Sequence, residues 1–437
     1  MKKLLLIAAA ALALTATAQE QLPKAFSFTV ENDGVTPACI AGILTDATAN
    51  LEMQIDWGDG VLSQVYTLED YATTWTPTEY SAVPKGNTIT VYAKPEVVNY
   101  IDGSWKTGTL KWTSIDLSAL TALINIEAPS NNISAIDISH NTSLTGINMS
   151  NNAIVGKFDF SANTALKTID FSNSEVMGTN NLDGTDFTCL PNLATLKLAM
   201  NPLTNIKVAG LTKLATLTLT SCHLASIDLT GCSALKTLNG NDNDFETIDL
   251  SPCSINKPYF YLNNCKLRSI TTAAAYSGNN RLQVKNNFLT FATLPAPGLF
   301  TASNFQYNPQ GNIDAQVAGG VVDLSQEMPT IAENPTLVTW ADGDKALVEG
   351  VDYTVEDGKF VFNVECKAAV ATLTNAAFPS LTLYTNPIAI IPTGINDVEV
   401  NNNVPAVYYN LNGQRVDATE RGILIEVRGD KATKVVK

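Results

Sequence analysis

From residue 113 onward, hydrophobic and polar positions recur with a fixed rhythm. Residues 143–154 read SLTGINMSNNAI and residues 213–224 read KLATLTLTSCHL, both instances of LxxLxLxxNxL. The closing apolar position falls at Ile133, Ile154, Val176, Leu203, Leu224, Phe245, Leu267 and Leu289, spaced by 21, 22, 27, 21, 21, 22 and 22 residues. The one long step holds a polar insert, Asn180 to Asp186. A second signal runs in phase: Ile115-Asp116-Leu117-Ser118, Ile136-Asp137-Ile138-Ser139, Phe158-Asp159-Phe160-Ser161, Ile227-Asp228-Leu229-Thr230 and Ile248-Asp249-Leu250-Ser251. Apolar residues on either side of one acid give period-two alternation, the mark of an extended edge. Each coil therefore predicts two extended edges and leaves no room for a long helix.

A coil of this length cannot bury its own apolar residues. Stacking coils about 4.8 Å apart pairs their backbone edges and makes one continuous apolar column. Asparagine recurs at 131, 152, 201, 243 and 287, where each strand turns. Inside such a turn an amide can bond the orphan backbone groups of its own and neighbouring coils. Cys222 and Cys265 hold the same position in two coils, and Ser174 in a third. Over residues 113–312 the pattern resembles the leucine-rich-repeat family, in its short bacterial, internalin-like form. The resemblance implies a mainly β solenoid of about eight coils of 21–22 residues, flanked by β-sandwich domains. It implies a displayed surface, not a chemistry.

Residues 19–112 break the rhythm and read as an N-terminal β-sandwich or cap, with alternating runs at 26–30 and 88–92. Within them Ile55-Asp56-Trp57-Gly58-Asp59-Gly60 resembles the WGDG hairpin of PKD-like β-sandwich domains. Asp56 and Asp59 could hold a cation, but a tight turn needing Gly at positive φ is the favoured reading. Residues 313–392 predict an Ig-like β domain, with turns at Asp342-Gly343 and Asp357-Gly358. Residues 393–437 carry Tyr409-Asn410-Leu411-Asn412-Gly413-Gln414-Arg415-Val416, Gly422 opening a short apolar strand, and a terminal Lys434-Val435-Val436-Lys437. They resemble the C-terminal sorting domain of type IX secretion in Gram-negative bacteria. Leu424 stands where that family usually has Tyr. The resemblance implies an export address at the outer cell surface; one more small capping β domain is the alternative.

The N-terminus agrees with export. Lys2 and Lys3 precede an apolar run from Leu4 to Leu14 and then Ala16-Thr17-Ala18. This reads as a signal peptide over residues 1–18, with an apolar run too short to span a bilayer. No later run of 18 apolar residues predicts a membrane span. The formal net charge of −15 becomes −17 once Lys2 and Lys3 are removed. Such acidity argues against nucleic-acid and anionic-membrane partners.

Candidate chemistry is sparse. The seven cysteines contain no CxxC, and the only histidines are His140 and His223, both in coil turns with no orienting partner in view. No catalytic set, metal site or cofactor is expected. Asp116, Asp137, Asp159, Asp228 and Asp249 form a lateral row that either shares cations or bonds its own backbone, the second being favoured. The insert at 180–186 lacks the closing Glu of an EF-hand loop. Cys232 and Cys253 hold one slot in successive coils, where earlier coils carry Asn141 and Asn163, and are a candidate disulfide. Alternation points Tyr259, Tyr261, Arg281, Gln283 and Lys285 outward from the seventh and eighth coils, an aromatic and cationic patch on an otherwise small, polar face. The expected partner is an extracellular protein of a host or neighbouring cell, with a glycan as the alternative.

The leader predicts cleavage after Ala18. Intact-mass measurement of exported protein is expected to give Gln19, free or cyclised, as the first residue; folded exported protein retaining Met1 would contradict it.

Overall fold

The computed structural model describes residues 21–47, 51–74, 76–154, 158–174, 182–392, 405–428 and 431–437. The leader, Val176, Asn180-Asn181 of the insert and the linker at 393–404 lie outside them. Two compact units divide the chain: residues 1–285 with 298–306, and residues 286–297 with 307–437.

The first unit is built on a twelve-stranded sheet. Ten of its strands run parallel, one per coil: Tyr100–Asp102, Asn125–Glu127, Gly146–Asn148, Thr168–Asp170, Thr195–Lys197, Thr216–Thr218, Thr237–Asn239, Tyr259–Tyr261, Arg281–Gln283 and Phe305–Gln306. Each pairs with the next in strict register, as in Ile169 to Leu196 and Leu238 to Phe260. The column is thus one rung longer at each end than the eight coils the repeat marks, and its first rung lies in the stretch read as cap. The centre of each strand points inward. Ile126, Ile169, Leu196, Leu217, Leu238, Phe260 and Leu282 are all fully buried. So is the next inward row, Leu198, Leu219, Leu262 and Val284, which Gly240 interrupts. A Cβ on Gly240 would meet Leu262 at 3.1 Å and Phe245 at 3.2 Å, so the larger Phe245 fills the space a leucine holds elsewhere.

Three residues after each of the eight strands between the first and the last, the chain turns through one residue in the left-handed region. These are Ser130, Asn151, Asn173, Met200, Ser221, Asp242, Asn264 and Asn286, with φ between 51° and 64°. The turn aims the following residue inward, and that is the recurrent asparagine. Asn243 shows the bonding: its Oδ1 accepts the Leu224 N–H at 2.9 Å, and its Nδ2 donates to Leu219 O at 2.7 Å and Gly240 O at 3.0 Å. Asn131, Asn152 and Asn201 repeat the arrangement. Where Cys222 and Cys265 replace asparagine, the thiol still donates to the preceding coil, to Leu198 O at 3.1 Å and Gly240 O at 3.3 Å.

The opposite edge is less regular than the tetrads suggest. Among the described residues only Thr247–Asp249 and Ser269–Thr271 pair there coil to coil as strands. In earlier coils the acid captures its own backbone: Ser139, Ser161 and Thr230 donate N–H to Asp137, Asp159 and Asp228 at 2.9 Å. A tight turn follows at once, as Asn141 N–H to Ile138 O at 3.0 Å shows. Asp249 makes the same bond, to Ser251 N–H, although its strand does pair, so the capture closes the turn whether or not a ladder forms beside it.

The N-terminal part of this unit closes the column. Trp112–Asp116 pairs antiparallel with Lys24–Val30 in a five-stranded sheet, and Gly42–Thr45 pairs antiparallel with Tyr100–Asp102. Trp112 is buried, stacks on Phe28 at 4.0 Å, and donates its indole N–H to Cys39 O at 3.0 Å. The WGDG segment is a turn: Asp56 Oδ1 accepts the N–H groups of Gly58, Asp59 and Gly60, and Asp59 pairs with Lys85 at 2.6 Å. Both carboxylates are therefore engaged by protein.

In the second unit, residues 317–390 form a four-stranded and a five-stranded antiparallel sheet and a two-stranded ribbon, with Trp340, Tyr353, Phe360 and Phe362 buried. The two hairpins use different turns. Asp357 and Gly358 are both at positive φ, the I′ pattern; the other loop is Gly343-Asp344 with positive φ at Gly343 alone, the II′ pattern. Residues 407–437 form a four-stranded antiparallel sheet in the order 415–416, 407–409, 423–428, 431–436.

Truncation of a ladder asparagine tests its role. Asn243→Ala leaves Leu224 N–H and two buried carbonyls without their side-chain partner. It is expected to lower the stability of the solenoid by about 3 kcal/mol in chemical denaturation. A loss below about 1 kcal/mol would mean that the coils stack without it.

Candidate functional site

The solenoid presents the ten parallel strands of its sheet to solvent through the residues flanking each buried centre. Over the middle rungs these are short and polar: Thr168, Thr195, Thr216 and Thr237 in one row, and Asn148, Asp170, Lys197, Thr218 and Asn239 in the next. Asp170 and Lys197 pair at 3.3 Å across adjacent rungs. Small side chains on a regular sheet make a flat surface with few anchors.

The character changes at Tyr259–Tyr261. Phe260 and Leu262 are fully buried, so Tyr259 and Tyr261 stand outward; Leu282 and Val284 do the same for Arg281, Gln283 and Lys285. Tyr259 lies beside Arg281 and Tyr261 beside Gln283 on the neighbouring rung. All five are partly exposed. The Arg281 guanidinium lies 5.9 Å from the Tyr259 ring centroid, and its Nη2 reaches Asn304 Oδ1 at 3.5 Å. A polar ladder runs alongside: Asn263 N–H donates to Asn241 Oδ1, Lys285 N–H donates to Asn263 Oδ1, and Asn263 Nδ2 donates to Gln283 Oε1 at 3.1 Å. The five expected residues thus come together as one patch, held by neighbours that position them. The sequence missed that this face continues to Tyr100 and Asp102. That rung sits 25 residues before Asn125, outside the regular spacing.

The other candidates resolve differently. The lateral carboxylates are each turned onto the backbone two residues ahead, Asp116 to Ser118 N–H at 3.1 Å and Asp249 to Ser251 N–H at 2.9 Å. Lys24, at 2.7 Å, and then Ser118 hold Asp116 down to about 2. Asp137, Asp159 and Asp228 are also lowered, by bonds from Ser139, Ser161 and Thr230. In the insert, Asp183 accepts from Thr204 and Asn205 backbone N–H at 2.6 and 2.9 Å and from the Thr204 hydroxyl. Among the described residues no group of three or more His, Cys, Asp or Glu is placed to hold a metal. His140 Nδ1 lies 3.2 Å from the hydroxyl of its chain neighbour Ser139, and exposed His223 lies 3.8 Å from Asp244.

Cys232 and Cys253 occupy equivalent turns, with N–H bonds to Leu229 O and Leu250 O. Asn141 and Asn163 hold that slot earlier, and the Asn163 amide reaches Asn141 O at 3.1 Å, so residues in successive slots are neighbours. The candidate disulfide is not formed in the structure: both are buried free thiols, and Cys232 Sγ turns instead to Val208 O at 3.3 Å. Burial pushes Cys253 up to about 12 and raises Cys232 as well. Cys222 and Cys265, two coils apart, also stay free.

Three solved structures are similar to this chain. The functional domain of InlJ from Listeria monocytogenes, which includes a cysteine ladder, is 21% identical over 63% of this chain and 69% of its own, with a TM-score of 0.38. A leucine-rich-repeat protein of Leptospira interrogans is 17% identical over 45% of this chain and 57% of its own, with a TM-score of 0.31. A plant ice-binding protein is 18% identical over 40% of this chain and 67% of its own, with a TM-score of 0.26. No family model and no curated protein matches. Overlaps this partial say nothing of what this chain binds.

The lateral row makes a pH prediction. Asp116, Asp137, Asp159 and Asp228 titrate in the folded state below the free value of 3.8, so the unfolded chain takes up protons first. Stability is complete above that value and is lost as pH falls from about 4 toward 2. Asp137→Asn, Asp159→Asn and Asp228→Asn keep an acceptor oxygen for the turn but remove the titration. Acid unfolding of the triple variant, followed by circular dichroism, is expected to be shallower than wild type; an identical acid limb would contradict it.

Proposed function

We propose that this chain is a non-catalytic binding protein of the cell exterior, which engages a protein partner through the strand face of its leucine-rich-repeat solenoid. The observation that carries the proposal is the patch of Tyr259, Tyr261, Arg281 and Gln283, in register on adjacent rungs of a rigid sheet. Tyrosine and arginine bring large contact area at low entropic cost and dominate measured binding energies. Here their backbone is fixed by the ladder, and two of the side chains already touch, so little ordering is lost on binding. Two cations, Arg281 and Lys285, on a chain of net charge −15 favour a partner with an acidic or mixed-charge surface.

The exterior location rests on the leader at 1–18 and on the resemblance of 393–437 to a type IX sorting domain, which together imply the outer surface of a Gram-negative bacterium. Among the described residues no helix is long and apolar enough to cross a membrane.

Capture of the extracellular partner by the mature protein, followed by titration, tests the site. Tyr259→Ala with Tyr261→Ala is expected to weaken binding by about 2 kcal/mol or more, roughly thirtyfold. The melting temperature should barely move, because partly exposed side chains contribute little to folding. Unchanged affinity in the double variant would place the site elsewhere.

A further inference from the structure

We propose a second binding site at the opposite end of the same sheet, built by Tyr71, Tyr100, Asp102, Asn125 and Glu127 and fitted to a neutral saccharide. Tyr71 and Tyr100 stack face to face, with centroids 3.7 Å apart and planes within 5°. Tyr71 is 52% exposed, the only aromatic ring of the first unit that stays open to this degree among its described residues. A hydrophobic ring left in water is ordinary when it is mobile and alone. This one is neither, for its inner face is spent on Tyr100 and its backbone is anchored.

The anchoring is specific. Tyr71 N–H donates to Thr45 O at 2.8 Å, and Asp70 Oδ1 accepts the next N–H but one, from Ala72, at 2.8 Å. Farther along, Glu69 receives the Thr78 N–H and hydroxyl, and Pro77 packs over Gly42, where a Cβ would meet it at 2.6 Å. The loop is pressed onto the sheet over Leu44, which is buried although alternation turns it to the outer face. The result is a fixed aromatic platform standing on the first rung.

Polar groups flank the platform at the spacing of a sugar ring. Asn125 lies in register with Tyr100, and Glu127 with Asp102, one strand away at about 4.8 Å. Asp102 and Tyr100 share a face, two residues or about 7 Å apart along the strand. Asp102 Oδ1 accepts the Ser104 N–H at 2.9 Å, and Glu127 Oε1 accepts Asn125 Nδ2 at 3.2 Å. These bonds orient the two carboxylates while leaving each a second oxygen to accept. A pyranose offers an apolar C–H face to an aromatic ring and hydroxyl donors at its rim; ring stacking with carboxylate acceptors and an amide beside it matches both. The two carboxylates select a neutral sugar over a uronic or sulfated one.

The mature protein on a printed array of neutral oligosaccharides, followed by calorimetric titration with the best of them, tests the site. Tyr71→Ala is expected to weaken binding at least tenfold and Tyr71→Phe to preserve it. Asp102→Asn with Glu127→Gln should weaken it several-fold. Tyr259→Ala with Tyr261→Ala should leave it unchanged, which keeps this site separate from the protein-binding patch. Loss of the stack on Tyr100 should lower the melting temperature of Tyr71→Ala by only a few degrees and leave it folded at the assay temperature, so lost sugar binding is not unfolding. No array binding, or sugar binding indifferent to Tyr71→Ala, overturns the proposal. So does a platform that binds hexaarginine in a Tyr71-dependent way and no sugar, since that would make it a cation site.

Discussion

The structure depends on a side-chain amide that bonds two coils at once. A solenoid coil buries its leucines only by stacking, and stacking removes from water every backbone group at the turn. Sheet hydrogen bonds satisfy the strand but stop at its end. There the left-handed residue swings the next side chain inward, and the asparagine supplies an acceptor to one coil and donors to two. Because its partners belong to different coils, the amide sets the coil spacing as well as the turn. The tolerance for Cys222 and Cys265 is informative. A thiol can still donate to the preceding coil, so what those rungs keep is the bond between coils.

That constraint explains why so much of the solenoid was readable in advance. Asparagine at 131, 152, 201, 243 and 287 and the leucines in phase with it are visible because each coil must solve the same problem alone. The inward and outward assignment of Tyr259 to Lys285 followed from alternation, and the burial of Phe260, Leu262, Leu282 and Val284 agrees with it. The ends were harder. Tyr100–Asp102 and Phe305–Gln306 each have a neighbouring coil on one side only, so their sequences answer to different neighbours and lose the period. Trp112 shows the consequence: its strand pairs with Lys24–Val30 and its ring packs on Phe28, contacts to residues more than 80 positions away that no local pattern announces.

The lateral edge misled for a related reason. Ile-Asp-Leu-Ser alternates like a strand, yet an aspartate followed two residues later by an N–H can close a turn on itself. The turn closes in every tetrad, and pairing is added only where a partner edge lies alongside. Ile115-Asp116 finds one in Lys24–Val30 and Thr247–Asp249 one in Ser269–Thr271; the tetrads at 136–139, 158–161 and 227–230 do not. Alternation therefore locates an inward face reliably and a paired edge only conditionally.

The same economy bears on where function can reside. Inward positions are committed to leucine, isoleucine, phenylalanine and asparagine, and the turn positions to residues that accept positive φ. The outward strand positions carry no such duty, and over the middle rungs they are mostly threonine and asparagine, which keep the face flat and wet. Large side chains gather at its two ends, Tyr71 and Tyr100 with Asp102 and Glu127 at one, Tyr259 and Tyr261 with Arg281 and Lys285 at the other. Their electrostatic signs are opposite, so the face carries a polarity along its length. A ligand that suits the cationic end is repelled by the acidic one, and two ligands of different chemistry can share one sheet without competing.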